Sequence, residues 1–210
     1  MPEGEALDPA RLLAPILVES RALLLGDFVL SSGAKSHIYI DMRAILSTPR
    51  GYSLVASMLA AKILDCLGAV SDLCIAGVTT GGIAWAALTA SLLHTPTGYV
   101  RTKPKTYGRG RSVEGCGNAK KIVLVDDVAT TGGSLLAAAE SAAREGYSVE
   151  ALVAIVDRGQ GAAARLREQG LRFCSLTTLK ALLQEAARQN LLDREAVEKA
   201  LEELAGAVDR

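Results

Sequence analysis

The chain reads first as a helix, then as a hairpin, then as a regular alternation. From residue 8 to residue 25 the apolar positions Leu12, Leu13, Ile16, Leu17 and Leu24 fall on a helical stripe. Asp8 can cap this element and Pro9 suits its first turn. The pattern predicts a helix over 8–25, kinked or restarted at Pro15 and ended by Gly26. The stretch FVLSSGAKSHIYIDMR predicts a strand, a Ser-Gly turn at Gly33 and a second strand. Pro49 opens a predicted helix to Leu67, with Thr48 as cap and Gly68 as stop.

Beyond residue 70 short apolar runs alternate with helical patterns. Strands are predicted at 72–77, 97–101, 121–126, 148–156 and 171–176. Helices are predicted at 82–93, 133–145 and 160–169, the last two stopped by Gly146 and Gly170, with a polar loop over 102–118. Apolar strands alternating with helices mean a mostly parallel sheet covered on both faces. The expected fold class is therefore α/β and doubly wound, in a single domain: an added N-terminal hairpin region about 20–48, core about 49–177, helical tail about 178–210. The tail should hold two helices, the second capped by Asp193; packing or dimer support is its expected task.

Composition narrows the partners. Lys and Arg balance Asp and Glu at 23 each, so the whole molecule has no strong field for nucleic acid or a membrane surface. The N-terminal residues are acidic and polar, unlike a signal peptide, and charges interrupt every apolar run before it could span a bilayer. A soluble cytoplasmic protein is expected. Cys66, Cys74, Cys116 and Cys174 form no C-x-x-C pair, which predicts reduced thiols rather than zinc or disulfides.

Two strand-to-helix turns carry the candidate chemistry. LCIAGVTTGGIAWAAL and IVLVDDVATTGGSLLAAA share Thr-Thr-Gly-Gly, and only the second adds Asp126 and Asp127. Such turns lie at the carboxyl ends of sheet strands, where open α/β folds bind ligands. Unpaired N–H groups and the helix dipole favour an anion there. Adjacent carboxylates repel each other, so a ribose diol or a metal would explain the pair better than the fold does. A basic stretch, RTKPKTYGRGRSVEG, lies between two core strands beside these turns.

IVLVDDVATTGGS resembles the phosphoribosyl-pyrophosphate (PRPP) motif of type I phosphoribosyltransferases. The resemblance implies that Asp126 and Asp127 hold the ribose hydroxyls. It implies that Val128, Ala129, Thr130, Thr131, Gly132, Gly133 and Ser134 wrap the 5′-phosphate. Val78 to Gly82, with Thr79, Thr80 and Gly81, is similar to the family's pyrophosphate loop. A substrate with a phosphate at one end and a diphosphate at the other would account for two anion cradles.

The basic stretch resembles the catalytic loop of orotate phosphoribosyltransferases through Arg101, Lys105, Tyr107, Gly108 and Glu114-Gly115. That family's loop reaches across a homodimer. Arg101, Lys103 and Lys105 would then bind PRPP, and Arg101, Lys105, Tyr107 and Asp127 would be catalytic. Thr102 departs from the family pattern, which has a basic residue there, and Lys103 follows one position later. FVLSSGAKSHIYID is similar to the hood over the base, with Lys35 where it could replace a missing lysine at Ser31. Tyr39 would either touch the base or pack in its strand. VDRGQG is similar to the segment that places Arg158 on the orotate carboxylate, near Thr130. The implied cofactor is Mg²⁺, held mainly by substrate with Asp126 or Asp127 as candidate ligands. The implied reaction transfers phosphoribose from PRPP to orotate in pyrimidine synthesis. A transferase for another base and a PRPP-sensing regulator are the rival readings; the stretch ahead of the hairpin is short for a DNA-binding domain. Trp85 is expected in the core and His94 at a helix end.

Overall fold

The computed structural model describes residues 8–29, 35–102 and 111–208. Helix α1 spans Pro9–Glu19 and is capped by Asp8, whose Oδ1 accepts from Ala10 N–H at 2.9 Å. Its inner face buries Leu13 and Leu17, and Pro15 is accommodated inside it. The helix is shorter than its apolar stripe predicts. Ser20 Oγ takes the carbonyl of Ile16, and Arg21 turns to φ 57°. Leu23 then buries itself as the start of a strand.

That strand, β1 (Leu23–Val29), pairs antiparallel with β2 (Lys35–Ile40), Leu25 opposite Ile38. Gly26 therefore lies inside a strand, where the register shifts between Leu25 and Phe28, and does not end a helix. The predicted turn at Gly33 lies outside the described residues. A 3-10 turn, Met42–Ser47, follows; its cap is Asp41.

Helix α2 (Pro49–Leu67) begins and stops where its signals predict, with Gly68 at φ 79°. The main sheet then forms from β3 (Leu73–Val78), β4 (Thr97–Val100), β5 (Val113–Gly115), β6 (Lys121–Ala129), β7 (Ser148–Asp157) and β8 (Phe173–Thr178). Its order is β5-β4-β3-β6-β7-β8, parallel throughout except for β5 against β4. The short β5 falls in the stretch expected to be loop. Helices α3 (Gly82–Leu93), α4 (Gly133–Arg144) and α5 (Ala162–Glu168) connect the strands.

Alternation along each strand divides the core in two. Leu73, Ile75, Val123, Val125 and Val153 face α1, α2 and α3, with Trp85 fully buried among them. Cys74, Ala76, Ile122, Leu124 and Leu152 face α4 and α5. Strands buried on both faces are what a doubly wound sheet requires.

The tail is two helices, α6 (Leu179–Arg188) and α7 (Arg194–Val208). Asp193 Oδ1 accepts from Ala196 N–H at 3.0 Å, as a cap does. Helix α6 packs on α1, and α7 packs on β1 and β2.

The expectation of four reduced thiols is overturned. Cys66 is joined to Cys174, and Cys74 to Cys116. The partners are 108 and 42 residues apart in sequence, so only the folded sheet brings them together.

Candidate active site

The strand order reverses direction between β3 and β6. From β3 the chain steps outward to β4, and from β6 it steps the other way to β7 and β8. Loops at the carboxyl ends of strands part at such a point and leave a crevice. Both Thr-Thr-Gly-Gly turns end there, one after β3 and one after β6.

A cavity of about 490 Å³ occupies the crevice. Thr79, Thr80 and Gly81 line it from the first turn, and Asp126, Asp127, Val128, Thr130 and Ser134 from the second. Arg158, just beyond β7, and Ile40, Asp41 and Arg43, where β2 runs into the 3-10 turn, complete it. A second hollow of about 350 Å³ lies within the turn 128–134 itself and shares Asp126. The Thr79–Thr80 peptide is cis. The second turn enters α4 through Gly132 at φ 74°, a left-handed conformation that glycine adopts without cost. N–H groups in the first turn of α4 have no partner inside the helix and are free for an anion.

The two acids differ. Asp126 is only 7% exposed. Burial, reinforced by the neighbouring Asp127, pushes its carboxyl up to about 8. Its Oδ1 accepts from Asp127 N–H at 3.0 Å, and Asp127 Oδ1 accepts from Val128 N–H at 2.8 Å. Asp127 faces the first turn, where glycine 81 leaves it room.

Arg158 enters the cavity wall through a backbone bond from its N–H to Ala129 carbonyl at 2.9 Å. Its Nε is buried without a hydrogen-bond partner. Burial pulls the guanidinium below its ordinary range, and the charge of Glu203 opposes that pull. A half-buried arginine whose buried Nε lacks a partner, set in a cavity wall, is suited to an anionic ligand.

Asp41 and Arg43 are site residues that the sequence reading missed. Arg43 donates from Nε and Nη2 to the two Asp41 oxygens at 2.7 and 2.8 Å. The Arg43 guanidinium, aided by Arg43 N–H and the Tyr39 hydroxyl, holds the Asp41 carboxyl below its usual range. In the same pairing Arg43 is held above its own, with Asp127 adding to the effect. Asp-x-Arg directly after an alternating strand was the available signal.

The other candidates are spread around this centre. Tyr39 stacks against Phe28, ring centroids 5.4 Å apart, with its hydroxyl beside Asp41. Lys35 begins β2 opposite Val29 and is exposed, at the far end of the strand from Ile40. Arg101 lies over the Tyr99 ring and donates to its hydroxyl at 3.2 Å, just beyond β4 rather than in the cavity wall. Its N–H bonds Ser112 carbonyl at 2.9 Å, so residues 101 and 112 are tied together. Glu145 accepts from the N–H groups of Ser112 and Val113. Lys103, Lys105 and Tyr107 lie outside the described residues.

The chain has relatives among known proteins. The profile of the phosphoribosyl transferase domain family matches residues 41–168. An orotate phosphoribosyltransferase of Aeropyrum pernix is 42% identical over 176 residues, spanning 84% of this chain and 94% of that protein. The crystal structure of orotate phosphoribosyltransferase from Aeropyrum pernix superposes with a TM-score of 0.73 at 41% identity, over 83% of this chain and 98% of that one. The Mycobacterium tuberculosis orotate phosphoribosyltransferase, solved with 5-phospho-alpha-D-ribosyl 1-diphosphate, superposes with a TM-score of 0.64 at 25% identity, over 83% and 98% of the two chains.

Proposed function

The chain belongs to the phosphoribosyltransferase family, among the orotate phosphoribosyltransferases, and on that premise we propose how its cavity transfers phosphoribose from PRPP to orotate. The observation that carries the assignment of roles is the cavity in the crevice. It joins two anion cradles, an acid pair and a half-buried arginine.

The turn 128–134 takes the 5′-phosphate on the N–H groups that open α4, with Thr130, Thr131 and Ser134 hydroxyls as further donors. Asp126 and Asp127 sit where the ribose must lie between the two cradles, and accept from its hydroxyls. Thr79, Thr80 and Gly81 take the diphosphate. That turn brings no cation of its own. Arg43 supplies one: Asp41 fixes its fork, using Nε and one Nη2 hydrogen, and the outer edge keeps three N–H donors. Arg158 takes the orotate carboxylate, for which its planar fork is matched. Lys103, Lys105 and Tyr107 are proposed to meet the diphosphate from the basic segment, whose neighbours Arg101 and Ser112 hold its ends.

The reaction breaks the bond from the anomeric carbon to diphosphate and forms one to the orotate ring nitrogen. Positive charge develops on the sugar and negative charge on the leaving oxygens. Donors fixed in advance beside those oxygens stabilise that change, and enclosure keeps water from the activated sugar. Among the described residues no three acids, histidines or cysteines gather as a metal site. A Mg²⁺ ion would enter with the substrate, with Asp126 or Asp127 as its candidate protein ligands. Bound there it would offset the diphosphate charge as a Lewis acid.

A homodimer and a cytoplasmic location complete the reading. No described helix is long and apolar enough to cross a membrane. In a reducing cytoplasm the Cys74–Cys116 bond would be shielded by burial, its sulfurs' residues being 0% and 1% exposed.

The test is turnover. Purified protein with Mg²⁺, PRPP and orotate should consume orotate absorbance, while uracil, hypoxanthine and guanine stay inert. An Asp127→Asn variant should be impaired. Turnover of another base in place of orotate would overturn the substrate. Binding of PRPP without turnover of any base would make the protein a sensor.

A further inference from the structure

The hairpin β1–β2 stands apart from the six-stranded sheet, yet its end supplies one wall of the cavity. A two-stranded hairpin is barely stable by itself and takes its position from whatever it packs against. Here that support is the C-terminal helix. Val197, Ala200 and Leu204 of α7 are buried in the larger core, and the helix lies along β2.

One side chain makes the join specific. Glu203 Oε1 accepts from Ser36 Oγ at 2.6 Å, and Oε2 accepts from His37 N–H at 2.6 Å. Ser36 is 4% exposed, and its Oγ in turn accepts from Ile38 N–H at 3.1 Å. Both carboxylate oxygens are thus spent on consecutive residues of a strand that enters the cavity four residues later, at Ile40. The same carboxylate is the acid whose charge reaches Arg158. Helix α7 therefore bears on two walls of the cavity.

On the reading of the cavity given above, we propose that Glu203 is a positioning residue: it clamps β2 and so sets the wall formed by Ile40, Asp41 and Arg43 against the two anion turns. The clamp acts through its hydrogen bonds. Glutamine at 203 keeps an acceptor for His37 N–H and a donor for Ser36 Oγ. Alanine keeps neither.

Steady-state kinetics with orotate and PRPP test this, on full-length protein whose melting temperature is measured alongside. Glu203→Ala should raise KM for both substrates about tenfold while kcat at saturation stays within about threefold. Glu203→Gln should restore both KM values to within about twofold of wild type. Ser36→Ala, which removes the partner and leaves α7 intact, should shift KM in the same direction as Glu203→Ala. Unchanged KM values in Glu203→Ala, even with a lowered melting temperature, would reduce Glu203 to a structural role and overturn the proposal. So would a glutamine variant as impaired as alanine. Wild-type protein that fails to consume orotate would instead sink the functional reading on which the clamp depends.

Discussion

The backbone of Gly81 packs so closely on the Asp127 carboxyl that a Cβ on residue 81 would overlap its carbon and both oxygens. Its neighbours are as confined: a Cβ on Gly82 would overlap Val125 carbonyl oxygen, and one on Gly77 the Gly82 backbone. The glycines of the first turn thus let the β3 turn nest against the end of β6, which puts the Asp127 carboxyl beside that turn.

Gly81→Ala should therefore displace Asp127. We expect about 1–3 kcal/mol lost in stability, from overpacking, and at least about a hundredfold in kcat/KM for PRPP, from misplacing a substrate contact. Gly133 in the second turn is the control. A Cβ there would meet only Arg165 Nη1 at 3.7 Å and Thr131 Oγ1 at 3.8 Å. Gly133→Ala should unfold within about 1 kcal/mol of wild type. Equal destabilisation of the two variants would contradict the packing account.

Arg158 should trade stability for binding. Its buried Nε has no partner, so the folded protein carries a desolvated charge that is only partly compensated. Arg158→Met should leave the ligand-free protein as stable as wild type or more stable. The same variant should raise KM for orotate about 10- to 100-fold, the worth of a charge-assisted hydrogen bond. Chemical denaturation and initial rates read the two effects separately. An unchanged KM would remove Arg158 from the substrate.

What the sequence made legible was local. The bounds of α2, α3 and α4 follow from Pro49, Gly68, Gly82 and Gly146, each acting on its own turn. The crevice was legible because the Thr-Thr-Gly-Gly turns and the acid pair are short, contiguous signals. Failures came where distant residues decide. Leu24 continues the stripe of α1, but pairing with Tyr39 puts it in a strand. Asp41 and Arg43 looked like the end of a hairpin until the cavity formed around them. Glu203 is one of many acids on a charged helix, and only its contact with Ser36, 167 residues away, distinguishes it.

The disulfides were hidden for the same reason, and their sequence separations give a graded prediction. Closing 108 residues with Cys66–Cys174 constrains the unfolded chain more than closing 42 with Cys74–Cys116. Loop-closure entropy gives about 5 and about 4 kcal/mol respectively. Urea unfolding of the paired serine variants at 66 and 174, and at 74 and 116, should show both losses, the first the larger. Thiol titration of the unfolded wild type without reductant should find no free cysteine; four free thiols would overturn both bridges.

Asp126 should impose an opposite pH dependence to that of an ordinary paired carboxylate. In the folded, ligand-free protein burial pushes its carboxyl up to about 8, while in the unfolded chain it titrates near the ordinary aspartate value of 3.8. Between those limits the folded state binds more protons than the unfolded state, so stability falls as pH rises. The contribution is complete below the unfolded value and is lost by the time pH passes the folded one. Asp126→Asn cannot titrate and should lack this slope, so that the two melting curves diverge as pH climbs from 5 to 8, the variant becoming the more stable relative to wild type. Glu185 gives the opposite sign elsewhere in the fold: hydrogen bonds from Arg188 hold it down at about 2, so its contribution is lost only in acid. Melting temperatures of wild type and Asp126→Asn, taken across that range without PRPP, separate the two groups. Parallel curves would mean that Asp126 is ionised in the folded protein at neutral pH.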